Sequence, residues 1–366
     1  MKKIIALLLA LVMVFALAAC GGKDSPAENK TPAENKAPAE NNTPAETPDE
    51  TPAEPAAGGE YRLGMGLVLN FDSSAAGNAQ YDATVATVVT DSEGKIVAAR
   101  IDVAQNKMDV TDGLVDPEKE FESKAELLDR YNMVKFSDAT LEWYEQAQNF
   151  EAYVVGLTAA EVEGTETYVN DSGHTVAVDE ELYASCSISI EDFIAAIVKA
   201  CNDEQGQTFT ADGAFTLGLA CVSTAEESTE ATEDEDGVVK MYAEFGAAVL
   251  DADGRIIAAL NDAIQPNITV DIDGEIVDTA FRGTKRELKE GYNMVAYSDA
   301  ISEWYVQSAA FSQWAVGKTA AELRGTETVL NDGGHYVAVD EELFASVTID
   351  ITGMIEVIAR AADYAR

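Results

Sequence analysis

Basic residues are scarce in this chain. Against 66 Asp and Glu it has 24 Lys and Arg, a formal net charge of −42. A surface of that sign repels nucleic acid and anionic lipid, which excludes a nucleic-acid-binding role. It suits solubility, loose cation binding or a cationic partner, and a solvated, self-repelling exterior is the plainer reading. Histidine is scarcer still, with His174 and His335 the only two. No Cys, Ser or second His stands at a fixed spacing to either, so neither a metal set nor a catalytic triad is written here. There are four cysteines and no C-x-x-C, which argues against a zinc or iron–sulfur site. Cys186, Cys201 and Cys221 are odd in number and unmatched between the two copies described below; they read as buried free thiols. Nothing like G-x-S-x-G or H-E-x-x-H occurs, which argues against a hydrolase.

What is present begins with an export signal. Lys2 and Lys3 precede an apolar run, Ile4 to Phe15, too short to remain as a spanning helix. The segment ends Leu17-Ala18-Ala19-Cys20-Gly21, which resembles the lipobox of bacterial lipoproteins. The resemblance implies cleavage before Cys20, a lipid on its sulfur, and anchorage on the extracytosolic face of the cell membrane. Residues 21–59 are nearly all Pro, Ala, Glu, Asn, Thr and Lys in PAEN and PAET units. That stretch has too little apolar surface to fold and is predicted to be an extended, disordered tether.

The rest is a duplication. Lys124 to Ser185 and Lys285 to Ser346 align without a gap and are identical at well over half their positions. A shift of about 160 residues is domain-sized rather than solenoid-sized. Two tandem domains are therefore expected, 60–205 and 206–366, each long enough to bury its own core. Thr84 to Val89, a turn at Asp91 to Gly94 and Lys95 to Asp102 predict a β-hairpin, repeated at Glu244 to Asp262. Ser123 with Glu126, Thr158 with Glu161, and their duplicates Thr284 with Glu287 and Thr319 with Glu322 predict capped helix starts. A longer helix is expected from about Asp138 to Val155. A closing helix is expected from Ile190 to Ala200, capped by Ser189, with Asp350 the cap in the second copy. The fold class is α+β, antiparallel hairpins packed with helices on one side. The acidic run Glu226 to Gly237 lacks calcium-loop spacing and reads as a solvated loop; Asp271 to Glu275 reads as a hairpin turn.

Few residues stand out for chemistry. His174 and His335 follow Asn-Asp-x-Gly turns, and a histidine there is usually a surface or packing residue rather than a base. Trp143 and Trp304 sit on the long helix, where aromatics more often pack a core than stack on a planar ligand. Asp179-Glu180-Glu181 and its copy Asp340-Glu341-Glu342 read as polar loops before a strand. The junctions Ala184 to Ser189 and Ala345 to Asp350 place small and hydroxyl residues ahead of a helix start, where free N–H groups attract anions.

The element order, with its D-x-x-G hairpin turn, small-residue junction and closing helix, resembles the FMN-binding domain family. That family includes flavoprotein subunits of sodium-pumping and electron-transport complexes and related surface lipoproteins of anaerobes. In it a motif D-x-x-[ST]-G-A-[ST] receives FMN through a phosphoester on its last residue. Laid on this chain, the motif falls on Glu181, Ala184, Ser185, Cys186 and Ser187, and on Glu342, Ala345, Ser346, Val347 and Thr348. Glu replaces its Asp, Ala its first hydroxyl and Ser its Gly; the acceptor hydroxyls of Ser187 and Thr348 remain. The resemblance implies FMN or a similar cofactor near Ser187, Thr348, Ser185 and Ser346, bound covalently or not. It implies a redox carrier rather than an enzyme, with membrane or surface redox partners. The rival reading is a non-catalytic surface scaffold for cell wall, glycan or peptide.

Overall fold

The computed structural model describes residues 58–366; the predicted signal, Cys20 and nearly all of the tether lie outside the described residues. The first half runs β1 (Gly59–Asn70), β2 (Asn78–Thr90), β3 (Ile96–Asp109), α1 (Lys124–Leu127), α2 (Met133–Phe136), α3 (Trp143–Tyr153), α4 (Ala159–Glu163), β4 (Thr167–Val169), β5 (Thr175–Ala177), α5 (Glu180–Ser185) and α6 (Glu191–Cys201). The second half opens with β6 (Gln207–Ala211), β7 (Thr216–Thr224), β8 (Gly237–Val239), β9 (Tyr242–Leu250), β10 (Ile256–Ile264), β11 (Asn267–Val270) and β12 (Ile276–Ala280). It continues with α7 (Lys285–Leu288), α8 (Met294–Tyr297), α9 (Trp304–Ala315), α10 (Ala320–Arg324), β13 (Thr328–Leu330), β14 (Tyr336–Ala338), α11 (Glu341–Phe344) and α12 (Thr352–Asp363). The chain is α+β, and the duplicated order is plain. No helix among the described residues is long and apolar enough to cross a membrane.

Two antiparallel sheets face one another, ordered β3-β2-β1-β6 and β10-β9-β7. Strand residues alternate strictly. On β2, Tyr81, Ala83, Val85 and Val89 point into the space between the sheets, while Ala86 and Val88 point out under the helices. On β9, Phe245, Ala247 and Val249 point in, and Ala248 and Leu250 point out. Period-two alternation with both faces covered explains why these strands read as almost unbroken apolar runs. The outer faces carry separate helical layers, one for each half.

The expectation of a separate core for each half is corrected here. The inner cluster joins Leu63, Tyr81 and Met108 of the first half to Leu217, Met241 and Phe245 of the second. Strand β6 leaves its own half and extends the first sheet, pairing antiparallel with β1 from Gly59↔Ala211 to Leu63↔Gln207. The buried Tyr81 hydroxyl donates to the Met241 carbonyl across the halves at 2.8 Å. Reciprocal ion pairs tie each closing helix to the opposite half: Arg360 to Glu126 at 3.0 Å, and Lys199 to Glu287 at 2.8 Å. A sheet has two faces, and the terminal helices cover only the outer one; the other half supplies the cover for the inner one.

The closing helices lie close on the strands because glycine removes the side chain between them. A Cβ on Gly64 would overlap the Ala200 carbonyl oxygen of α6, and one on Gly218 would overlap that of Ala361 of α12. All four capping boxes form as the sequence predicts. The long helix instead starts at Trp143, because the Glu142 carboxylate turns back to accept the Met133 and Val134 N–H groups at 2.7 and 3.3 Å. Asp179 and Asp340 cap short helices, accepting from Leu182 and Leu343 N–H, so those triplets are helix starts rather than loops before a strand. Ile190 and Ile351, not Ser189 and Asp350, occupy the cap positions of α6 and α12. Asp350 sits one residue earlier and accepts the Thr352 N–H at 2.9 Å.

Buried carboxylates hold α1 and α7 in place. Asp102 Oδ1 accepts from Val103 and Ala125 N–H at 2.7 and 3.0 Å. Asp262 Oδ1 does the same for Ala263 and Arg286 N–H at 2.8 and 3.1 Å. Desolvation pushes both carboxyls up to about 6, outweighing these hydrogen bonds and, for Asp262, the nearby Arg286.

Two outcomes follow. Gly218→Ala should cost about 1–3 kcal/mol or more through overpacking and lower the melting temperature, whereas Gly213→Ala, with nothing within 4 Å of its Cβ, should be near neutral. Because Asp102 and Asp262 titrate higher folded than unfolded, the folded state holds extra protons between about pH 4 and 6. Their contribution is therefore present at low pH and lost as pH rises through 6. Thermal melts should show a stability gain from pH 7.5 to 5 that the Asp102→Asn/Asp262→Asn double variant largely loses; an unchanged pH slope would refute it.

Candidate functional site

The hydroxyls expected to receive a phosphate are held inward. Ser187 N–H and Oγ both donate to Gln146 Oε1, at 2.8 and 3.2 Å. Thr348 N–H and Oγ1 donate to Gln307 Oε1 at 2.8 and 3.4 Å, and Thr348 Oγ1 also accepts from Ile301 N–H at 3.4 Å. Gln146 and Gln307 are buried and donate in turn to the Leu141 and Ser302 carbonyls. Each glutamine amide thus pins the junction to the loop before the long helix. Ser185 and Ser346 spend their hydroxyls on the Leu182 and Leu343 carbonyls, both at 3.1 Å. The closing helices begin only at Glu191 and Thr352, so none of these four residues stands at a helix N-terminus.

His174 and His335 are exposed, each with its backbone N–H closing its turn on Asn170 or Asn331. Trp143 and Trp304 are buried, at 3% exposure each, in the two helical layers. Trp143 packs edge-on against Phe193. Cys186 and Cys221 are buried and Cys201 half-buried, all three free thiols. Burial pushes the Cys186 thiol up to about 12, so it does not supply a thiolate at neutral pH.

The structure instead draws attention to a residue that sequence reasoning passed over. Lys285, the first residue of α7, is buried, and its Nζ lies 4.8, 5.0 and 5.2 Å from the ring centres of Tyr242, Tyr292 and Trp304. It donates to the Tyr242 hydroxyl at 3.3 Å and forms no ion pair among the described residues. Burial pushes the Lys285 ammonium down to about 8, against the opposing pull of Glu244 and Asp262. The Tyr242 hydroxyl donates to Glu244 Oε1 at 2.5 Å, and Glu244 Oε2 is out of contact with solvent and has no hydrogen-bond partner among the described residues. Desolvation raises the Glu244 carboxyl, against the opposing pull of the Tyr242 hydrogen bond and of Lys285.

Beside this cluster opens a cavity of about 360 Å³. Tyr242 and Tyr292 supply aromatic surface, and Lys240, Arg282 and Lys285 supply positive charge, with Glu226 and Glu227 also on its lining. Its volume is at the small end of the range for small-molecule sites. A mixed wall of aromatic faces and cations fits a planar ligand with a negative group. The first-half counterparts are Lys124, Tyr131 and Trp143, with Lys124 only half-buried and 5.2 and 5.7 Å from the two rings. None of the four junction hydroxyls lines this cavity. The signal available in sequence was a lysine opening both α1 and α7 in a chain poor in lysine; the Tyr242 ring it packs against comes from β9, a distant strand.

No family model matches this chain, and no solved structure matches it. Part of it is 32% identical over 126 residues to a protein described as chlorophenol reductase of Desulfitobacterium hafniense. The match takes in 30% of this chain and spans 38% of that protein's length.

Proposed function

We propose that this chain is a lipid-anchored, extracytosolic protein that carries a flavin or a similar small planar ligand and serves a surface electron-transfer system. It works as a redox carrier and not as an enzyme with its own substrate chemistry. The observation that carries the reading is the cavity beside Lys285, with Tyr242 and Tyr292 for a ring system and three basic side chains for a phosphate. Partial similarity to a reductase supports a redox setting. Bound there, a flavin would supply reversible electron uptake. The protein's part is to hold the ring, neutralise the phosphate and limit water. Ser187 and Thr348 remain the residues on which a covalent phosphoester would form, but their hydrogen bonds to Gln146 and Gln307 favour non-covalent carriage.

A scaffold role has one observation of its own. Phe136 and Tyr297, at matching places on α2 and α8, are 76% and 88% exposed, which suits contact with another macromolecule.

Residues 58–366, purified and titrated with FMN, separate the two. The carrier reading predicts a raised melting temperature, about 2.7 kcal/mol of stabilisation at a hundredfold excess over Kd, with quenched flavin fluorescence. No shift with FMN or riboflavin, but a shift with a glycan or peptide, would leave the scaffold reading standing instead.

A further inference from the structure

We infer that the duplication has been broken to leave one ligand site per chain, in the second half, selective for a planar ligand bearing a negative group. This deepens the carrier reading and rests on it for the flavin as the particular ligand, though not for the site.

The two halves share the lysine and two of its rings, Lys124 with Tyr131 and Trp143, and Lys285 with Tyr292 and Trp304. The halves differ in what surrounds them. Tyr242 and Glu244 align with Asp82 and Thr84, and the basic residues Lys240 and Arg282 align with Gln80 and Phe121. In the first half Asp82 is taken up by Gln80 and Gln105 amides, at 3.0 and 2.7 Å, so that position is filled by its own side chains. Strands β8 and β11 pair as the outer ends of β2 and β3 do, Val239↔Ile268 matching Ala79↔Met108, but after the insertion at Glu226 to Asp236 they form a sheet of their own, ordered β12-β11-β8, and β12 has no first-half strand to match it. Residues beside that sheet, including Glu227, Lys240, Asn267 and Arg282, wall the cavity.

Charge gives the ligand's sign. In a chain of net charge −42, most basic side chains should find a carboxylate. Among the described residues Lys285 and Arg282 form no ion pair, and Arg282 donates instead to the Gly291 carbonyl, at 3.1 Å. Lys240 pairs only at the exposed rim, with Glu227 at 3.4 Å. A buried ammonium with no ion pair is costly, and a bound anion at its side offsets that cost. The rings of Tyr242 and Tyr292 give the planar preference.

The test uses the soluble chain with four probes: FMN, riboflavin, an anthraquinone sulfonate (a planar anion that is no flavin) and inorganic phosphate. The variants are Lys285→Met, Arg282→Gln on the exposed rim, and the first-half control Lys124→Met. Calorimetry should give one equivalent of FMN per chain. Binding should weaken about tenfold or more in Lys285→Met and in Arg282→Gln, stay within about twofold in Lys124→Met, and be weaker for riboflavin. If Lys285→Met fails to fold, Arg282→Gln decides. If the flavins do not bind but the anthraquinone sulfonate does, once per chain and dependent on Arg282 and Lys285, the flavin reading fails while the site stands. Two equivalents per chain, equal losses in Lys124→Met and Lys285→Met, or no binding of any planar anion would overturn the inference.

Discussion

Each half of this protein makes a sheet whose two faces are both apolar, and its own helices cover only one. The other face is buried against the opposite half. About a dozen residues of the first half, from Tyr61 to Val110, point into that shared layer. Exposing such a set would cost on the order of 10 kcal/mol or more, comparable to the whole stability of an ordinary domain. The duplication is thus an internal, pseudo-symmetric pairing in which one chain supplies both partners. Strand β6, added to the edge of the first sheet, and the reciprocal pairs Arg360–Glu126 and Lys199–Glu287 lock it.

Such an arrangement leaves the outer layers free to diverge. The inner faces are constrained by each other, and the closing helices by glycines that admit them close to the strands. The surface around α1 and α7 carries no such constraint. The first half there keeps a half-buried lysine over two rings. In the second half a third ring, from Tyr242, and the added strand β12 stand beside the same lysine, which lines a cavity. The pair Asp102 and Asp262 anchors both lysine-bearing helices in the same way, so the difference lies in what surrounds the lysine, not in how it is held.

What could be read from the residues alone was what depends on near neighbours. The D-x-x-G hairpin turns and the four capping boxes formed where expected, because their hydrogen bonds close within a few residues. The shared core was not legible: a strand covered by helices on one side and by another sheet on the other shows the same apolar run as one covered by helices twice. Helix starts slipped where a side chain found a distant use, as Glu142 did on Met133 and Val134. The junction around Ser187 and Thr348 drew notice for its hydroxyls, yet those are tied down by Gln146 and Gln307, about 40 residues earlier in the chain. Lys285 passed unremarked because its rings come from β9, the turn before α8 and α9.

The most direct test of the shared layer is to produce residues 58–205 and 206–366 as separate polypeptides and follow each by thermal melting and amide hydrogen exchange. The account predicts that neither alone gives a monomer with a cooperative melt, and that mixing them restores both the melt and slow exchange on β2 and β9. A single fragment that is monomeric, melts cooperatively near the temperature of the intact chain and protects those strands unaided would contradict it.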